Sequence, residues 1–143
     1  MSQDGPYTTA AESSITSDGL LVAVEVAVLV AIGGFAGSNL RYFAGLVLPG
    51  LPGTLAVNAI GSTILAFLIY EGIYNGILAD ETHLLVGTGF LSSLTTYSTF
   101  AVQTATAVGP LWMIGNVVAN YGLGFLGVLV GRGIARRFGG GDR

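Results

Sequence analysis

Thr54, Asn58 and Ser62 recur at four-residue spacing in an otherwise apolar stretch, which puts them on one face of a helix. Asn116, Asn120 and Gly124 repeat the pattern later, and the run Ser92-Ser93-Leu94-Thr95-Thr96-Tyr97-Ser98-Thr99 is nearly continuous in hydroxyls. None of these residues is charged. At membrane depth such groups must bond back to their own helix, glue helices together, or line a pathway, because an unpaired polar group in hydrocarbon is costly. Three neutral stripes suit a pathway for an anion that must pass quickly, since a ring of Arg would hold the ion too tightly. Tyr97 and Phe100, three residues apart, share a face. Such a pair ordinarily packs a core; alternatively, its positive ring edges offer C–H groups to a small anion. Ser92 to Thr95 are mostly short hydroxylated residues, poor helix formers, and predict a break. A break frees backbone carbonyls, whose oxygen-only ligation suits a hard cation.

Only membrane-spanning helices can position these groups. The chain has 143 residues, is 52% hydrophobic and 9% charged, and has a mean hydropathy of +0.74. A soluble domain carries about 25% charged residues to solvate its surface. From Thr82 to Gly131 there are 50 consecutive residues without Asp, Glu, Lys or Arg, and Tyr42 to Tyr70 gives another 29. Runs beyond about 18 apolar residues read as spans. The expected fold is an all-α integral membrane protein with four transmembrane helices, over about residues 20–40, 52–70, 83–108 and 111–131. The third is broken. Residues 1–19, rich in Ser, Thr, Asp and Glu and without a basic residue, read as a disordered acidic tail rather than a secretory signal. The four-helix transmembrane domain then covers 20–138 and a short tail 139–143.

The same composition excludes other classes. No Cys means no disulfide framework and no thiolate chemistry, and the single His83 precludes a multi-histidine metal centre. Five Arg, no Lys and a net charge of −3 argue against a nucleic-acid partner. Arg132, Arg136, Arg137 and Arg143 lie on the side of the termini and only Arg41 is near the other, so the positive-inside rule places both termini in the cytoplasm. Gly33-xxx-Gly37, Gly72-xxx-Gly76 and Gly127-xxx-Gly131 predict close helix–helix approach in lipid. Arg41 reads as an interfacial anchor, Glu25 as a wet end of the first span and His83 as a loop residue.

GGFAGSNLRY (Gly33–Tyr42), GTLAVNAIGS (Gly53–Ser62) and GFLSSLTTYSTF (Gly89–Phe100) resemble the three signatures of the fluoride-specific ion channels, the Fluc or CrcB family, in order and spacing. The resemblance covers about Gly33 to Gly131. It implies an antiparallel, dual-topology-type dimer of four-helix subunits in the cell membrane, passing fluoride through two polar pores along the subunit boundaries. It also implies a structural, non-transported Na⁺ on the backbone carbonyls of Ser92 and Thr95. Asn58 matches the family's pore Asn, Tyr97 and Phe100 its phenylalanine box, Ser98 and Thr99 the polar track beside it, and Arg41 its Arg at the end of the first helix. Thr54, Ser62, Asn116 and Asn120 join them as candidate pathway residues.

Several positions depart from that pattern. Ser92-Ser93 stands where Gly-Gly is common, and Tyr97 where the first box residue is Phe. Ala101 and Gln103 replace a frequent Ser and Glu, and Asn116 and Asn120 stand where a Tyr and a Ser are expected. The Tyr97 hydroxyl would either tune conduction or mark the less active subunit of a pair. The Arg bias favours pairing with a related subunit of opposite orientation over pairing of the chain with itself. Two other classes share the gross pattern: a small proton-coupled multidrug exporter, which needs an embedded Glu that only Glu25 could supply, and a non-transporting subunit of a larger membrane complex.

Overall fold

The computed structural model describes residues 6–138. It is helical throughout, with no strand among the described residues. Helix α1 is Pro6–Val47 and α2 is Leu51–Tyr74. Helix α3 covers residues 80–94, opening at Asp80–Thr82, widening to a π-helix over His83–Leu91 and closing at Ser92–Leu94. Helix α4 is Tyr97–Ala105 and α5 is Pro110–Phe138. Three of these helices are long and apolar enough to cross a bilayer unaided: Gly19–Val47 within α1, then α2, then α5. The third hydrophobic segment is divided between α3 and α4, and neither half reaches that length.

Turn chemistry sets the boundaries. Gly50, Gly76 and Gly109 have φ of 78°, 58° and 100°, where a Cβ is strained, and each stands in a connection. Pro52 and Pro110 occupy first-turn positions, where no amide is missed. The helices run longer than the expected spans: α1 to Val47 rather than residue 40, α2 to Tyr74 rather than 70, and α5 to Phe138 rather than 131. Of the expected acidic tail, residues 1–5 lie outside the described residues and 6–19 fall on the first turns of α1; the tail at 139–143 also lies outside them. The expected 83–108 segment begins earlier, at Asp80, and its helix ends at Ala105.

His83 and Glu71 sit where the sequence reading did not put them. His83 is helical rather than in a loop, and Glu71, one residue past the expected 52–70 span, is buried on the last turn of α2. Its Oε1 accepts from the amides of Ile77 (2.7 Å) and Leu78 (3.3 Å), capping the α2–α3 connection. Its Oε2 lies 3.6 Å from His83 Nε2 and is buried without a hydrogen-bond partner. With the other oxygen held by the amides of the connection, α2 runs past the carboxylate.

Helix α2 packs most closely on α5, and α1 on α3. Glycines make both contacts possible. A Cβ on Gly33 would meet the Leu85 carbonyl, one on Gly37 the Phe90 carbonyl, and one on Gly89 would lie 2.7 Å from the Val30 carbonyl. On the other seam, a Cβ on Gly127 would lie 2.7 Å from Thr63 Oγ1, and one on Gly131 would meet the Thr63 carbonyl and lie 2.8 Å from the Phe67 nitrogen. At one end of that seam Arg132 and Arg136 each donate through Nε to the Tyr74 hydroxyl at 3.3 Å. Their guanidinium groups rest over the Tyr70 and Tyr74 rings at 5.3 and 5.7 Å, binding α5 to α2 by cation–π contact. The buried apolar core is small, centred on Val57, Leu68, Leu91 and Leu94. Large apolar side chains such as Ile32, Phe35, Ile73 and Trp112 are exposed, as on a protein whose outward face meets an apolar surrounding rather than water.

Gly131→Ala is therefore expected to destabilise the protein by about 1–3 kcal/mol, because backbone on α2 has to move. Gly133→Ala, with nothing within 4 Å of its new methyl, should melt like wild type. Melting temperatures of the two detergent-solubilised variants check this, and equal values would contradict the packing.

Candidate anion pathway

The break between α3 and α4 falls on Thr95 (φ −74°, ψ 155°) and Thr96 (φ −147°, ψ 120°), both extended. It lies later than the expected Ser92–Thr95, since Ser92, Ser93 and Leu94 remain helical. A residue of α2 fills the gap. Asn58 Oδ1 accepts from the Thr96 amide at 2.8 Å, and Asn58 Nδ2 donates to the Thr96 carbonyl at 3.1 Å. The side-chain amide thus pairs with both backbone groups of one residue, much as a neighbouring strand would. One turn along α2, Gly61 admits the Thr95 methyl, which a Cβ there would strike. Thr96 in turn caps α4: its Oγ1 accepts from the Thr99 amide at 3.2 Å, donates to Thr99 Oγ1 at 3.0 Å and lies 3.3 Å from Ser98 Oγ.

This arrangement diverts two amides. In an unbroken helix the Thr96 N–H would donate to the Ser92 carbonyl and the Thr99 N–H to the Thr95 carbonyl. Both instead end on side-chain oxygens, of Asn58 and of Thr96 respectively. The Ser92 and Thr95 carbonyls thereby lose their helical donors. Their chemistry fits a hard cation such as Na⁺, which takes oxygen ligands, carbonyls among them. The hydroxyl protons are directed back along α3, from Thr95 Oγ1 to the Leu91 carbonyl (2.9 Å) and from Ser92 Oγ to the Gly87 carbonyl (3.4 Å).

Beside the break lies a groove of about 520 Å³, open along one side. Helix α2 lines it with Asn58 and Ser62, α3 with Ser92, the break with Thr95 and Thr96, and α4 and α5 with Tyr97, Phe100 and Asn120, among apolar residues such as Leu65, Leu91 and Val128 that make up most of its wall. Behind it runs a file of amides. Asn58 Nδ2 donates to Asn120 Oδ1 (3.2 Å), Asn120 Nδ2 to Asn116 Oδ1 (2.8 Å), and Asn116 Nδ2 to Thr104 Oγ1 (2.8 Å). The Thr104 hydroxyl ends the file on the Phe100 carbonyl at 2.8 Å. The aromatic pair is extended by a third ring: Tyr97 and Phe100 centroids are 5.8 Å apart, and Tyr121 meets Phe100 edge-on at 6.1 Å and 88°. Phe100 is buried, whereas Tyr97 is 74% exposed on the open side.

The candidates are therefore not all in one place. Asn58, Ser62, Ser92, Thr95, Tyr97, Phe100 and Asn120 meet at the groove. Thr54 is buried with its hydroxyl turned to its own helix, at 3.5 Å from the Gly50 carbonyl. Asn116 is buried behind the lining, and Ser98 and Thr99 are exposed at the start of α4. Arg41 is half-buried near the end of α1, and Glu25 is exposed on the same helix. Thr96, Thr104 and Tyr121 were not singled out from the sequence, although Thr96 lay inside the hydroxyl run. Spacing carries a weak signal for Thr104, a hydroxyl one turn beyond the Phe100 whose carbonyl it caps.

A family model described as CrcB-like protein, Camphor Resistance (CrcB), matches residues 28–132. Among curated proteins the chain is 61% identical to "Fluoride-specific ion channel FluC 1" of Haloarcula marismortui, over 86% of this chain and 95% of the relative. It is 54% identical to "Fluoride-specific ion channel FluC 2" of Halobacterium salinarum, over 75% and 84%. It is 49% identical to "Fluoride-specific ion channel FluC 1" of Natronomonas pharaonis, over 76% and 92%.

Thr96→Val removes the α4 cap and is expected to cost about 1 kcal/mol of stability, whereas Thr96→Ser keeps the hydroxyl and should cost less than half of that. Thermal unfolding of both variants checks the assignment. A Val variant as stable as wild type would show that the cap contributes nothing.

Proposed function

The chain belongs to the CrcB-like family, and we propose that it is a fluoride-specific ion channel that lets fluoride leave the cytoplasm passively and so limits its toxicity. The observation that carries this reading is the high identity across nearly the whole of a relative bearing that name. The groove is consistent with it: its wall is uncharged and mostly apolar, with hydroxyl groups and aromatic ring edges set into it, which can receive an anion without trapping it. The protein is a channel and not an enzyme, and its setting is a membrane.

On this reading α1, α2, the broken pair α3–α4 and α5 make four crossings, so that both termini face the cytoplasm on the side of the Arg cluster of α5. The membrane is the cell membrane. Two subunits pack antiparallel, either two copies or this chain and a relative of opposite bias, and each closes the open side of the other's groove. Fluoride then moves along Ser62, Tyr97, Phe100 and Asn120, with Ser98 and Thr99 continuing the path beyond the ring pair. A structural Na⁺ supplies fixed positive charge at the centre when bound. Ser92 and Thr95 hold it by their carbonyls, and Asn58 and Thr96 keep those carbonyls turned away from the helix bonds they would otherwise make.

An exporter of the multidrug type needs a carboxylate that gains and loses a proton facing its substrate. Glu25 is exposed on α1, and Glu71 has one oxygen committed to loop amides and the other beside His83, so neither faces the groove.

Vesicles loaded with fluoride and carrying the purified protein test the proposal directly, with a K⁺ ionophore relieving the charge. Fluoride should leave down its gradient without a proton gradient, and chloride-loaded vesicles should stay full. Equal efflux of both anions, or flux only when protons run the other way, would contradict it.

A further inference from the structure

Asn58 invites a role as a free donor to the passing anion, yet its amide is fully occupied. A primary amide offers two N–H groups and one acceptor oxygen. One N–H goes to the Thr96 carbonyl, the other to Asn120 Oδ1, and the oxygen takes the Thr96 N–H. The orientation of that amide is also dictated from a distance. The Thr104 hydroxyl gives its single proton to the Phe100 carbonyl, so toward Asn116 it can only accept. Asn116 must then point Nδ2 at Thr104 and leave Oδ1 for Asn120, and Asn120 likewise leaves Oδ1 for Asn58. Each link fixes the direction of the next. The file ends by presenting Asn58 in the one orientation that matches both Thr96 backbone groups.

We infer that Asn58 is a positioning residue for the break, oriented by the Asn120–Asn116–Thr104 file, and that its task is to hold the Thr96 amide off the Ser92 carbonyl and so keep that oxygen open to a cation. The inference rests on the proposed Na⁺ site and adds to it the side chains that pre-form it. Without Asn58 the Thr96 N–H has one obvious partner, the Ser92 carbonyl one turn back, and taking it would continue α3 through the break. Pre-formation matters because a cation meeting closed carbonyls must first disrupt them, and its apparent affinity falls by the fraction of molecules that are closed.

The test is a Na⁺ titration of the melting temperature of the assembled, detergent-solubilised protein, with K⁺ replacing Na⁺ at constant total salt. Wild type should be stabilised as Na⁺ rises. Asn58→Ala should raise the midpoint roughly tenfold, the factor that 1.4 kcal/mol represents. Asn120→Ala, which leaves the Thr96 pairing intact but unkeyed, should raise it by about threefold, as loss of one modest hydrogen bond does. A residue that only touches the permeating anion would leave both midpoints unmoved. A wild type indifferent to Na⁺ overturns the cation site and the inference with it, whereas a responsive wild type and an unchanged Asn58→Ala midpoint overturn the inference alone. If Asn58→Ala does not fold, an Asn120→Ala midpoint equal to wild type overturns it just as well.

Discussion

Thr96 has one backbone N–H and one carbonyl, and a single side-chain amide on another helix holds both. Much of the remaining architecture follows from that pairing. Hydrocarbon does not tolerate unpaired backbone groups, so a helix can stop at membrane depth only where something else completes its hydrogen bonds. Asn58 does so for one half of the break, and the Thr96 hydroxyl, capping α4, does so for the other. The pairing also fixes the register of α2 against α3 and α4, with Gly61 giving Thr95 room one turn away. Through Asn120 it reaches α5, so the three elements that line the groove are aligned by one polar cluster.

The apolar packing supplies closeness where the polar cluster supplies register. Burial is a weak driving force between helices in lipid, and association there relies on close van der Waals contact. Gly33, Gly37 and Gly89 bring α1 onto α3, and Gly127 and Gly131 bring α5 onto α2. These seams leave the groove open on the side where Tyr97 is exposed. On the proposed reading a second subunit covers that open side.

The sequence made the stripes legible, because a four-residue period puts residues on one face. It could not say how far along a stripe the groove extends. Successive steps of four drift by about 40°, so Thr54 and Ser62 lie about 80° apart around α2, and only Ser62 reaches the groove. Hydroxyl-rich composition announced the break, but its position depends on tertiary structure. Ser92 and Thr95 bond back to the preceding turn and extend the helix, and what ends it is an amide 38 residues away in sequence. The end of α2 and the start of α3 are hidden for a related reason: polarity reads His83 as a loop residue and the charge at Glu71 closes the 52–70 span, whereas the amides of Ile77 and Leu78 hold Glu71 Oε1 and let α2 run past it. Tyr121 lies about 100° around α5 from Asn120 and about 140° from Asn116, and only the packing of α5 on α4 brings it to Phe100.

The central claim is that the break turns the Ser92 and Thr95 carbonyls into ligands by diverting their amides. Density at the break of crystals of the assembled protein grown in Na⁺ measures this most directly. The account predicts a discrete peak bounded by those two carbonyls, with the Thr96 amide on Asn58. A Thr96 amide bonded to the Ser92 carbonyl, with no peak between the carbonyls, would contradict it.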